Sequence, residues 1–319
     1  MGKPEKARES KPRTPKEMPT SREGLIEVKG GKVWYKIVGT ESKGTPLLTL
    51  HGGPGGSSGT LVALEALSGD RPIIFYDQLG AGNSDRPEDE SLWTLNRYID
   101  EVEIVRAALN IENFHLFGHS WGSLLAAEYS FREPHRVQSL LLSAPLLSVQ
   151  RWLADTNELK QQLPESVREV IERNERAGTT NSKEYKKASE EFDRKHYCLV
   201  HPYPEVVQNA KKVANNRIYE IMWGPSEFSC TGNLSGYDIT GKLGDVGIPV
   251  FLSCGRHDEV LVRTLEYYRN LFKNAKMHVF EESAHIPYVE EPDLYVEVVR
   301  NFLYEAENQV GTAKHSELI

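Results

Sequence analysis

The chain has 319 residues, 38 Lys and Arg against 46 Asp and Glu, a formal net charge of −8 and a hydrophobic fraction of 39%. That is long enough for one large α/β domain with an insertion, and the acidic balance argues against nucleic-acid and anionic-membrane partners. The three cysteines, Cys198, Cys230 and Cys254, are odd in number and lack metal-ligand spacing, so they read as reduced thiols of a cytoplasmic protein with no metal site.

Residues 1–22 are charged and proline-bearing, with no apolar core for a signal peptide or a membrane span, and are expected to form a disordered tail. Strand-like runs follow at 24–29 and 32–38, with no helical pattern between them, so they should pair as a hairpin. Further strand runs at 46–51, 72–77, 113–118, 139–144, 249–254 and 276–281 are mostly separated by helical patterns, among them 94–109, 121–132, 263–272 and 292–306. The alternation predicts a mostly parallel eight-stranded sheet with helices on both faces, built from residues 23–147 and 243–306. A polar tail is expected at 307–319. Between Leu147 and Lys242 the strand signal gives way to charged, helix-favouring sequence at Glu165–Ala177, Lys183–Lys195 and Pro204–Trp223, which reads as a helical cap inserted at 148–242. It emerges at the C-terminal edge of the sheet, where it can close a pocket and exclude water.

Three glycine-bearing loops at strand ends come first, two of them read as chemical and one as support. After the strand ending near Leu50, His51-Gly52-Gly53-Pro54-Gly55-Gly56 lacks the Gly-Lys-Ser/Thr ending of a phosphate loop and the spacing of a dinucleotide fingerprint. It reads instead as half of an oxyanion hole, with the N–H of Gly53 as the expected donor. The segment Asp77–Ser84 follows the next strand and is expected to buttress the pocket floor. Then Gly118-His119-Ser120-Trp121-Gly122 sits between an apolar run, Phe114 to Phe117, and a helical segment. A serine on a sharp strand-to-helix turn is lifted clear of the sheet, and the flanking glycines remove the Cβ atoms that would collide there. The N–H of Trp121, at a helix start, is the second expected oxyanion donor.

A serine nucleophile needs a base and an orienting carboxylate. Asp258 lies just past the strand Pro249–Ser253, and His285 lies in the equivalent position after Met277–Phe280. Taken alone, each is more often a turn former or an ordinary surface histidine. Strand-end placement and the chain order Ser, Asp, His select them together, and that order is the one expected of α/β-hydrolases. His51 and His119 are assigned to shaping the turns.

The motifs HGGPGG at 51–56, DQLGAGNSDRP at 77–87, GHSWG at 118–122, GPSEF at 224–228 and GRHDEV at 255–260 together resemble the proline iminopeptidases, serine aminopeptidases of the α/β-hydrolase fold, over residues 24–306. The resemblance implies Ser120 as nucleophile, Asp258 and His285 as its partners, Gly53 and Trp121 as oxyanion donors, and Glu227 and Glu259 as binders of the substrate's free α-amino group. On the residues alone, Glu227 could also be a solvated cap residue and Glu259 a carboxylate favoured by a helix dipole. Ala81 stands where relatives often carry cysteine, a departure that touches thiol sensitivity and leaves the chemistry intact. The expected activity is release of an N-terminal residue, preferentially proline, from small peptides or aminoacyl amides through an acyl-enzyme, with no cofactor. The aromatics Trp152, Trp223 and Phe228 are candidates for a proline slot. An amino-acid amidase or small-molecule esterase with the same three residues, and a hydrolase-fold ligand receptor, are the other readings.

Overall fold

Leu47, Ile73, Phe75, Phe117, Leu141 and Phe251 pack into one apolar cluster, while their chain neighbours Leu48, Ile74, Tyr76, Leu116, Leu140, Leu142 and Leu252 pack into another. Because successive strand side chains point to opposite faces, the continuous apolar runs of the sequence feed two cores at once, which requires covering layers on both sides.

The computed structural model describes residues 19–316. In chain order the elements are β1 (Ser21–Val28), β2 (Gly31–Val38), β3 (Leu47–Leu50), a 3₁₀ segment (Ser58–Leu67), β4 (Ile73–Tyr76), α1 (Leu95–Ala108), β5 (Phe114–His119), α2 (Trp121–Arg132) and β6 (Val137–Ser143). They continue with α3 (Val149–Gln161), α4 (Glu165–Ala177), α5 (Lys183–His196), α6 (Glu205–Val213), α7 (Asn216–Met222), β7 (Val250–Gly255), α8 (Val262–Leu271), β8 (Ala275–Phe280), α9 (Pro287–Glu290) and α10 (Pro292–Ser316).

The strands form one eight-stranded sheet in the order β1-β2-β4-β3-β5-β6-β7-β8. As the sequence suggests, β1 and β2 form an antiparallel hairpin and β2 meets β4 antiparallel; the remaining pairs are parallel. Leu124 and Leu125 of α2 and Val102 and Val105 of α1 fill one core. The 3₁₀ segment and α10 close the other through Leu61, Leu64, Val299 and Leu303. Among the described residues no helix is long and apolar enough to cross a membrane.

Both ends of the fold reach past the expected boundaries. The tail expected at 1–22 lies outside the described residues up to position 18, but Ser21 and Arg22 belong to β1, where pairing with Val38 and Ile37 gives their backbone groups partners despite their polar side chains. The polar tail expected from 307 is, as far as Ser316, a continuation of α10. Glu307 holds that continuation against the sheet through Arg71, 2.8 Å away, and the buried His115 of β5, 3.3 Å away.

The helices α3–α7 lie in the chain between β6 and β7. They carry a small core of their own, Leu159, Leu163, Ile171, Tyr185, Ala188, Phe192 and Phe228. The helix-favouring stretch Pro204–Trp223 forms two helices, α6 and α7: Ala214 between them is extended and the Asn215 side chain accepts from the N–H of Arg217 to start the second.

Candidate active site

At the C-terminal edge of the sheet the loops after β3, β5, β7 and β8 converge on one cavity of about 240 Å³, whose lining includes Gly52, Gly53, Ser120, Glu227, Glu259 and His285. Ser120 joins β5 to α2 with φ 52° and ψ −121°, a backbone conformation that L-residues rarely adopt. It is held there by hydrogen bonds from its own N–H to Ser143 O (2.9 Å) and to its carbonyl from Ser123 Oγ (2.5 Å). The turn tolerates no side chain on its flank, since a Cβ on Gly118 would lie 2.2 Å from Gly122 O. Trp121 opens α2, so its N–H is one of the helix-start donors without an intrahelical acceptor. Gly53 turns with φ +125°, where a Cβ would meet the Gly56 nitrogen at 2.6 Å.

The loop between β4 and α1 holds these two segments together. Gln78 accepts from Trp121 Nε1 (2.9 Å) and donates from its own side chain to His51 O (3.1 Å). The Gln78 N–H donates to His51 Nε2 (3.0 Å), which leaves His51 Nδ1 as the protonated nitrogen, 2.8 Å from Gly52 O. The Asp77 carboxylate accepts from Ser58 N and Oγ and from Asn83 N, all at 2.8 Å.

His285 Nδ1 lies 2.8 Å from Asp258 Oδ1, and both side chains are buried. Asp258 is fixed in turn by the backbone N–H groups of Gly255 and Val260, each at 3.2 Å. The insertion contributes directly to this arrangement. The backbone N–H of His285 donates to the carbonyls of His196 (3.1 Å) and Tyr197 (3.2 Å) at the end of α5, and His196 Nδ1 donates to His257 O at 2.9 Å. The His119 ring lies 4.6 Å from that of His285, centroid to centroid, so the histidine assigned to turn shaping also walls the cavity.

Two carboxylates accompany the serine and the imidazole. Glu259 is 2% exposed, with Oε2 3.7 Å from His285 Nε2. Glu227 accepts from Trp152 Nε1 at 3.3 Å and from the hydroxyl of Tyr219. Burial raises the pKa of both; for Glu259 the charges of Glu227, Asp193 and Asp258 push it further and well above the ordinary carboxylate value. A cation entering this space would relieve that repulsion.

The structure therefore brings Ser120, His285, Gly53, Glu227 and Glu259 to one cavity, with Asp258 directly behind His285 and the Trp121 N–H at the start of the helix that Ser120 caps. Of the three aromatics expected to shape a slot, Trp152 stacks edge-on to His285 with centroids 5.6 Å apart, Trp223 lies behind Trp152, and Phe228 packs on Phe192 in the insertion's own core. The insertion instead lines the cavity with Asp193, Tyr197, Ala210, Lys211, Ala214, Tyr219 and Glu227. Only Glu227 of these carried a motif; Asp193 and Lys211 are charged residues in helices full of them, and nothing local distinguishes them.

The sequence profile of the α/β-hydrolase fold family matches residues 45–292. A proline iminopeptidase of Heyndrickxia coagulans is 45% identical over 282 residues, covering 88% of this chain and 98% of its own. The chain belongs to the proline iminopeptidase family of α/β-hydrolases. Among solved structures, the proline iminopeptidase of Mycobacterium smegmatis superposes with a TM-score of 0.82 at 32% identity, covering 91% of this chain and all of that one. VinJ gives 0.86 at 31% identity, covering 90% and 99%. These matches span both the sheet and the insertion of this chain.

Proposed function

We propose that this protein is a serine aminopeptidase that releases the N-terminal residue, preferentially proline, from small peptides. The observation that carries this reading is the placing of two buried carboxylates, Glu227 and Glu259, in the same small cavity as Ser120 and His285. An esterase has no need of them. An α-ammonium leaving water needs opposite charge close by, and paired carboxylates fix how far the scissile carbonyl lies from the chain terminus. The cut then falls after one residue.

In this mechanism Ser120 Oγ attacks the carbonyl of the N-terminal residue as His285 Nε2 takes its proton. Asp258 accepts from Nδ1–H throughout and stabilises the imidazolium that forms. The N–H groups of Gly53 and Trp121 receive the charge developing on the carbonyl oxygen. The proton on Nε2 passes to the leaving nitrogen as the C–N bond breaks, leaving an acyl-serine. His285 then takes a proton from water, whose oxygen attacks the ester, and collapse of that intermediate returns the serine hydroxyl and frees the amino acid. The insertion, packed over the cavity, excludes long polymers and keeps bulk water out. Three unpaired cysteines, Cys198, Cys230 and Cys254, are compatible with a reducing compartment, and we place the enzyme in the cytoplasm on that basis.

The test compares a prolyl arylamide with its N-acetylated form. Turnover of the free amine and at least a hundredfold loss on blocking it are expected, as are comparable losses in Glu227→Gln and Glu259→Gln, since truncating one side of a buried charge pair costs about 2 to 5 kcal/mol. Equal rates on both substrates would remove the aminopeptidase assignment in favour of an amidase or esterase.

A further inference from the structure

The cavity that holds Ser120 and His285 is lined by three carboxylates outside the Asp258–His285 pair, Asp193, Glu227 and Glu259, and by a single Lys or Arg among its described lining, Lys211 of α6. Its ammonium lies 4.4 Å from the centre of the Tyr203 ring and 5.1 Å from that of Tyr197, so two aromatic rings hold the charged head in place. The nearest carboxylate oxygen, Asp193 Oδ2, is 3.7 Å away, beyond hydrogen-bonding distance. The side chain is 46% exposed. Lys211 also borders a second, larger cavity of about 740 Å³ within the insertion, together with Asp193, Tyr219 and Glu227. Lys211 therefore borders space that a ligand can enter.

Resting on the aminopeptidase reading, we propose that Lys211 receives the C-terminal carboxylate of a short peptide substrate, so that the enzyme selects free dipeptides over their carboxyl-blocked forms. A dipeptide carries a charge at each end. With its ammonium between Glu227 and Glu259 and its first carbonyl at Ser120, its carboxylate lies one residue further on, about 3.8 Å of Cα separation beyond. In a cavity already holding three carboxylates that second charge meets repulsion unless a cation offsets it. Lys211 is the cation available, and burial, by raising the Asp193 carboxyl, makes Asp193 a weaker competitor for it. Because the site is partly hydrated, the preference it confers is moderate rather than absolute.

The experiment measures kcat/KM for Pro-Gly and for Pro-Gly amide, with a prolyl arylamide as reference, in wild type, Lys211→Met and Lys211→Arg. Both peptides share the ammonium, so their ratio isolates the carboxylate. Wild type is expected to favour the free acid by about two- to fivefold, the range of a partly exposed charge pair. Lys211→Met should bring that ratio to one or below, and Lys211→Arg should restore a preference for the acid. A wild-type ratio of one, or a ratio that Lys211→Met leaves intact, would overturn the assignment while leaving the aminopeptidase in place. Failure of wild type to cleave the arylamide would overturn the aminopeptidase and this proposal with it.

Discussion

The indole N–H of Trp121 donates to the side-chain oxygen of Gln78 across 2.9 Å, and the side-chain nitrogen of the same residue donates to the His51 carbonyl across 3.1 Å. One amide thus ties the helix that follows Ser120 to the glycine loop after β3. Gln78→Leu should lower kcat on a prolyl arylamide by about ten- to a hundredfold, because the two proposed oxyanion donors, the N–H groups of Gly53 and Trp121, lose their common brace. KM should change by less than about threefold if ground-state binding rests on Glu227 and Glu259. An unchanged kcat would show that the donors are set by the backbone alone.

The conformation of Ser120 implies a trade between stability and activity. A non-glycine residue held in so sparse a region costs on the order of 1 to 3 kcal/mol, and glycine gives back about 0.5 to 1 kcal/mol through its freer unfolded chain. Ser120→Gly is therefore expected to raise the stability measured by denaturant unfolding by about 1 kcal/mol while abolishing hydrolysis. Lower stability than wild type would mean that the turn is not strained.

With Glu259 and Glu227 in the proposed role of binding the substrate amine, the activity has an acid limb. Both carboxyls are raised by burial, and only their ionised forms attract an ammonium, so kcat/KM for a free-amine substrate should fall as pH drops, beginning above the ordinary carboxylate value of 4.5. Stability runs the opposite way. A carboxyl whose pKa is raised by folding binds more protons folded than unfolded, so stability is lost as pH rises from 4.5 through the raised value. Glu259→Gln should accordingly melt at a higher temperature than wild type at pH 7 to 8 and lose that advantage at pH 4, even as its activity collapses. Thermal melts of the two proteins across that range check the sign.

The far end of the fold has the reverse dependence. Hydrogen bonding to His115, then the Arg71 guanidinium, holds the Glu307 carboxyl down at about 2. A depressed carboxyl contributes stability above its unfolded value of 4.5 and loses it as pH falls toward 2. Glu307→Gln should lower the melting temperature at pH 7 and converge with wild type near pH 2 to 3. A constant difference at every pH would assign the loss to packing of α10 instead of charge.

Much of this was legible in the residues. The central parallel strands are buried on both faces and so apolar throughout, and the hairpin strands showed as a pair with no helical pattern between them. The glycine-flanked serine and the strand-end Asp258 and His285 were marked by their chemistry and chain order, whereas Glu227 and Glu259 were marked only by the family resemblance. The ends of the fold were less so, because Ser21 and Glu307 join it through distant partners, Val38 and Arg71, which no local pattern announces.

The chain by itself determined which side chains are chemically able to act, and in what order the strands present them, since apolar periodicity and turn chemistry are local properties. Only the tertiary structure decided that the end of α5 supplies the carbonyls seating His285, that Glu259 approaches the imidazole, and that Asp193 and Lys211 face the same space. Those relations depend on how an insertion of amphipathic helices docks on the sheet, and a helix's sequence specifies that it has an apolar face long before it specifies what that face will meet.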